Sequence, residues 1–208
     1  MGGAADSGFL AVPLADRVAF AGFRVTRGSE APGEAPERIL LVGFMAAGKS
    51  AVGRALAREL GWRFLDFDRE IARSEGRSIQ AIFRDDGEDG FREIEARVAA
   101  ELLGRDQVVL ASGGGWPCRP GRLDALPAGT LSIWIKVRED VILERASRRK
   151  GKRPLLDVDD PAARIRELLT EREPWYRMAD WTIPGDHGSP AQLARRIAAR
   201  LREPFTRG

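Results

Sequence analysis

The chain has 208 residues, 43 % apolar and 31 % charged, with a single cysteine, Cys118. That is enough for one sizeable core of ordinary globular type, and one cysteine excludes an internal disulfide and argues against a cysteine-based zinc site. Net charge is only +3, and the 34 basic residues, 30 of them arginine, interleave with 31 acids. Such a balance is no nucleic-acid footprint, and no apolar run reaches the ~18 residues of a membrane span. Neither nucleic acid nor a membrane is expected as a partner, and cytoplasmic residence is expected.

Residues 1–37 are rich in Ala, Gly and Pro, and "GSEAPGEAPE" at 28–37 reads as a flexible linker. "RVAFAGFRV" (17–25) has the pattern of a short amphipathic element. The start lacks a basic n-region and a long apolar h-region, so no signal peptide is expected. The body is taken as 38–208.

From residue 38 strands and helices alternate. "RILLVGF" (38–44) is a continuous apolar run, the mark of a strand buried on both faces. "SAVGRALARELG" (50–61) has helical spacing and a glycine stop. "WRFLDFD" reads as a second strand, and 69–76 and 78–104 as helices, the latter interrupted near Gly87. "QVVLASGGG" (107–115) is a third strand ending in three glycines. "TLSIWIKV" (130–137) is a fourth, followed by helices at 138–149 and 161–179. "DWTIP" (180–184) makes a short fifth strand, and a closing helix at 189–203 starts on Ser189 and Pro190. This alternation predicts an α/β fold with a parallel sheet flanked by helices. Ligands in such sheets bind at the carboxyl ends of the strands.

The chemistry falls at those ends. "GFMAAGKS" (43–50) matches the Walker A pattern between a strand and a helix, so its backbone N–H groups and the helix N-terminus make a phosphate cradle. Lys49 brings a compact cation, and Ser50 a hydroxyl for Mg²⁺. Ala46 stands where many such loops carry glycine, which requires that position to avoid positive φ. On an extended chain Asp66 and Asp68 point to the same side. A metal would offset their repulsion and leave one carboxylate to take a proton; otherwise Asp66 only ends the strand and Asp68 caps the next helix. "DGEDGFREIE" (86–95) puts Arg92 and Glu95 one turn apart, "ASGGG" (111–115) offers bare backbone, "KRPLL" (152–156) follows a basic stretch, and "REPWY" (172–176) lies late in a helix.

In this order the five elements, from about Arg38 to Leu201, resemble the shikimate kinase family. The resemblance implies a P-loop kinase fold, a five-stranded parallel sheet with a mobile lid (about 148–160 here). It implies transfer of the γ-phosphate of ATP to the 3-hydroxyl of shikimate, on the route to aromatic amino acids. ATP and shikimate become the expected partners, Mg²⁺ the cofactor, and a monomer the expected state.

Carried over by position, Gly43, Ala46, Ala47, Gly48, Lys49, Ser50 and Ala51 hold the phosphates, and Ser50 with Asp66 holds Mg²⁺. Asp68 binds the attacking hydroxyl as base. Arg92 and Arg172 clamp the shikimate carboxylate with the backbone of Gly113, Gly114 and Gly115, and Glu95 orients Arg92. Arg153 is the lid arginine, catalytic with Lys49 and Asp68 and in contact with ATP, and Arg145 stacks on adenine. The family's basic residue before the last helix is replaced by "DHGSP" (186–190), and no catalytic role is expected for His187. A related small-molecule kinase, such as a gluconate kinase, would not require Arg92, "SGGG" and Arg172 together. A ligand-sensing module of the same fold would carry a helix-turn-helix domain, which 37 residues poor in helical pattern do not supply.

Overall fold

A computed structural model of the chain describes residues 24–25, 35–147 and 160–203. Strands β1 (Arg24–Val25), β2 (Arg38–Val42), β3 (Arg63–Asp66), β4 (Val108–Ala111), β5 (Thr130–Lys136) and β6 (Trp181–Pro184) form one sheet in the order β1-β6-β5-β2-β4-β3. The five from β2 onward run parallel, as the alternation predicts. The sixth, β1, was not foreseen as a strand: it adds antiparallel to the β6 edge, Arg24 opposite Thr182 and Val25 opposite Trp181. Among the described residues no helix is long and apolar enough to cross a membrane.

Strand β2 lies at the centre, and Ile39, Leu40, Leu41 and Val42 are wholly buried. Burying such a side chain contributes about 1.5–3 kcal/mol. At its start Arg38 is also buried, satisfied by the carbonyls of Arg105 (3.1 Å) and Ala128 (2.6 Å) and by Glu37 and Asp106. This one side chain ties the amino end of the central strand to the turns before β4 and β5.

Helices α1 (Lys49–Leu60), α2 (Phe67–Glu75), α3 (Ile79–Leu103), α4 (Glu139–Ser147), α5 (Pro161–Tyr176) and α6 (Pro190–Arg202) flank the sheet. Helix α1 packs on α6, α2 on α3, and α4 on α5. Gly53 lets α1 approach β3 closely, since a Cβ there would lie 2.4 Å from the Phe64 ring. Helix α3 breaks at Gly87 (φ 72, ψ −172), as its sequence suggests. Helix α6 opens with a capping box between Ser189 and Gln192.

Two local expectations are corrected. The second strand stops at Asp66, not Asp68: Asp66 is extended (φ −117, ψ 123) and its carboxylate accepts from Arg69 N–H at 3.4 Å. Asp66 is therefore the N-cap of α2, and Phe67 and Asp68 belong to that helix, so strand alternation does not aim Asp68. The second concerns Ala46, whose φ is 64. The loop's shape demands the left-handed region there even without glycine, at a cost of about 1–2 kcal/mol for an L-residue.

Ala46→Gly should accordingly stabilise the fold by about 1 kcal/mol, raising Tm by about 2–4 °C in a thermal melt. An unchanged or lowered Tm would show that the alanine methyl makes a contact worth more than the backbone strain.

Candidate active site

A cleft of about 910 Å³ opens beside the carboxyl ends of the parallel strands. It is lined by the β2–α1 loop, by Asp66 at the end of β3 and Asp68 in the first turn of α2, and by Gly113, Gly114 and Gly115 after β4. Strand β2 pairs with β4 on one side and β5 on the other, which makes this the switch point of the sheet.

The β2–α1 loop has the predicted cradle. Gly43 turns the chain at φ 135, where a Cβ would sit 2.8 Å from the Ile135 carbonyl. Gly48 is the N-cap of α1 at φ 96 and supplies no side-chain cap. The start of α1 thus presents the positive end of the helix dipole to the cleft with no side-chain cap, while the Ala51 and Val52 N–H groups bond the Gly48 carbonyl. Ala46, Ala47, Lys49, Ser50 and Ala51 line the cleft around this point. Lys49 is buried, its Nζ on the carbonyls of Gly43 (2.7 Å) and Phe44 (3.0 Å). Ser50 Oγ donates to Asp66 Oδ2 at 2.5 Å, so Asp66 joins the phosphate loop to the strand end while capping α2. From α4, Arg145 donates to the carbonyls of Ala47 (3.4 Å) and Gly185 (3.2 Å), bridging the phosphate loop and the segment after β6.

On the other side of the loop, Asp68 faces the cleft from the first turn of α2. Its tip is open to the cleft, yet protein encloses it on most sides. That enclosure first, then the charge of Asp66, push its carboxyl up to about 6, against the pull of Lys49. Gly113 sits between Asp68 and the buried Glu95: a Cβ there would lie 3.2 Å from Asp68 Oδ1 and 3.1 Å from Glu95 Oε1. Glu95 holds Arg92 at 2.8 Å, and Glu88 takes its other edge at 3.2 Å. Arg172 is buried on α5 with its guanidinium 5.9 Å from the Phe44 ring centre and close to Gly114. Arg92 and Arg172, 80 residues apart in sequence, thus flank the same glycine turn.

Every predicted site residue from Gly43 to Arg145, and Arg172, lies in or against this cleft. Arg153 and nearly all of the segment expected to form a lid (about 148–160) lie outside the described residues. The sequence reading missed an apolar wall, Ile79, Phe83 and Phe91, with the two phenylalanines stacked at 4.4 Å across the Gly87 break. The stretch of His187, Gly188 and Ser189, which the resemblance puts near the adenine without its basic residue, does line the cleft. The only signal for the wall was aromatic residues bracketing a glycine.

Comparison with known proteins agrees with this geometry. The sequence model of the shikimate kinase family matches residues 45–202. A shikimate kinase of Halorhodospira halophila is 47 % identical over 80 % of this chain and 94 % of its own, and one of Thermus thermophilus is 42 % identical over 78 % and 89 %. The structure of shikimate kinase from Acinetobacter baumannii in complex with shikimate superposes with a TM-score of 0.76 at 40 % identity, covering 81 % of this chain and 94 % of that one. A gluconokinase from Sinorhizobium meliloti, at 22 % identity and a TM-score of 0.52, shares the fold alone. With a match of this strength along most of its length, the chain belongs to the shikimate kinase family.

Proposed function

We propose that this protein transfers the γ-phosphate of ATP to the 3-hydroxyl of shikimate, with its own residues in the roles below. The observation that carries the acceptor's identity is the convergence of Arg92 and Arg172 on the Gly113–Gly115 turn, within the cleft that holds Asp68 and the phosphate loop. Two guanidinium forks and a bare backbone suit a small carboxylate. The apolar wall of Phe83 and Phe91 suits a ring.

Phosphoryl transfer is mostly positioning and charge neutralisation. The positive end of the α1 dipole and the ammonium of Lys49 receive the phosphates. Asp68, ionised above pH ~6, takes the proton of the attacking hydroxyl. Glu95 keeps Arg92 turned to the acceptor, and Arg172 meets the same anion from α5. Arg145 lies between the phosphate loop and the segment after β6 and keeps the adenine-stacking role that the family resemblance gives it. Arg153 keeps the lid role that the family resemblance gives it.

Mg²⁺ fits the oxygens present. Among the described residues no group of three or more His, Cys, Asp or Glu is gathered for a metal. An ion that shares its shell with phosphate and water needs only the Ser50 hydroxyl and the Asp66 carboxylate, already 2.5 Å apart. Bound there, it would neutralise phosphate charge.

A coupled assay of ADP release should show turnover that depends on shikimate and not on gluconate; release without shikimate dependence would remove this reading. Asp68→Asn should lower kcat by about 10²–10⁴-fold with ATP affinity kept. In the parent protein kcat/KM for shikimate should fall as pH drops through about 6, because Asp68 then holds the proton it must accept. A profile flat to pH 5 would exclude Asp68 as the base. Arg172→Ala should raise the shikimate KM by about 10–100-fold and leave the ATP KM within about twofold. Equal losses for both substrates would place Arg172 in the scaffold rather than at the acceptor.

A further inference from the structure

Behind the acceptor turn lies a buried polar group with no part in the roles above. Tyr176 ends α5, four residues after Arg172 and so on the same helix face. It is almost wholly buried, its ring 6.0 Å from that of Trp134, and its hydroxyl donates to the Gly114 carbonyl at 2.6 Å. The Cys118 thiol is a second, weaker donor to the same oxygen, at 3.7 Å. Neither side chain lines the cleft.

The geometry of the peptide gives these bonds a consequence. In a trans peptide the C=O and the following N–H point in opposite directions, and no cis peptide occurs among the described residues. Holding the Gly114 carbonyl toward Tyr176 therefore turns the Gly115 N–H away from Tyr176. The N–H groups of Gly113, Gly114 and Gly115 have no protein acceptor among the described residues. The turn itself has no side chains to brace it: Gly114 lies against the Met45 amide and the Arg172 guanidinium, and Gly115 against Arg92. Burial, and next the neighbouring Cys118, keep the Tyr176 phenol well above its ordinary pKa, so it remains a donor throughout the working pH range.

We propose that Tyr176 is a positioning residue for the acceptor: its hydroxyl fixes the Gly114–Gly115 peptide between Arg92 and Arg172, so that backbone N–H groups and guanidinium groups meet one carboxylate together. This rests on the acceptor site described under the proposed function. Helix α5 would then supply both an anion-binding arginine and, one turn later, the group that orients the backbone beside it.

The test is Tyr176→Phe, which keeps the ring against Trp134 and removes only the donor, run beside Arg172→Ala with steady-state kinetics for both substrates and a thermal melt. The expected result is a shikimate KM raised about tenfold, with kcat and the ATP KM within about twofold of the parent. Cys118→Ala should shift the shikimate KM in the same direction by about twofold, in keeping with a weak donor. An unchanged shikimate KM in folded Tyr176→Phe, or a parallel rise of both KM values, overturns the proposal. Should that variant not fold, an unchanged shikimate KM in Cys118→Ala overturns it instead. If Arg172→Ala leaves the shikimate KM untouched, the acceptor site itself is wrong, which is a separate failure from that of Tyr176.

Discussion

A carboxylate in a protein cleft needs a cation, hydrogen-bond donors or a proton, and this cleft gathers three: the buried Glu95, the half-buried Asp66, and Asp68, whose tip is open. Each is answered differently. Glu95, the most buried, has the Arg92 guanidinium at 2.8 Å. Asp66 takes hydrogen bonds from Ser50 and from the start of α2. Asp68 has no ion pair among the described residues, and enclosure by protein first, then the charge of Asp66, push its carboxyl up to about 6. Three like residues thus sit in three different settings, and that of Asp68 suits the proton acceptor proposed above.

The sheet makes such a concentration of charge affordable. Five parallel strands send their carboxyl ends to one rim, and the switch at β2 leaves a gap there between neighbouring loops. The start of α1 faces this gap without a side-chain cap, and its dipole adds partial positive charge there. At the opposite end of β2, the buried guanidinium of Arg38 collects carbonyls from two turns. The central strand is thus fixed by structural bonds at one end and leads at the other into the phosphate loop and the helix start, where the cleft opens.

Most of this frame was legible in the sequence, since it rests on local signals: the apolar run at 38–44, the glycines and lysine of the phosphate loop, and the cap of α6. The less legible features depend on long-range contact. Nothing near Tyr176 announces that its hydroxyl meets a carbonyl 62 residues away. The pairing of residues 24–25 with β6 needs the edge strand to exist first. Ala46 misled for a different reason: the loop's hydrogen bonds and its closing helix fix the backbone, and the residue follows at a cost. Family resemblance supplied the acceptor, which periodicity and spacing alone left open.

The segment Leu65 to Asp68 reaches the cleft by a different geometry from the one its sequence suggests. Strand alternation would have put both aspartates on one side, but the strand ends between them. What brings them together is the cap itself. Asp66 accepts from Arg69 N–H and so starts the helix at Phe67, whose buried ring anchors the first turn. That turn carries Asp68 to the cleft, while Ser50 holds the other oxygen of Asp66 against the phosphate loop. A strict strand would have placed the second carboxylate about two residues farther along the same rail, nearly 7 Å on. The helical turn folds it back toward Gly113, where enclosure by protein first, and then the charge of Asp66, raise its pKa. The bond that ends the strand therefore also sets where Asp68 lies and which charge stands beside it.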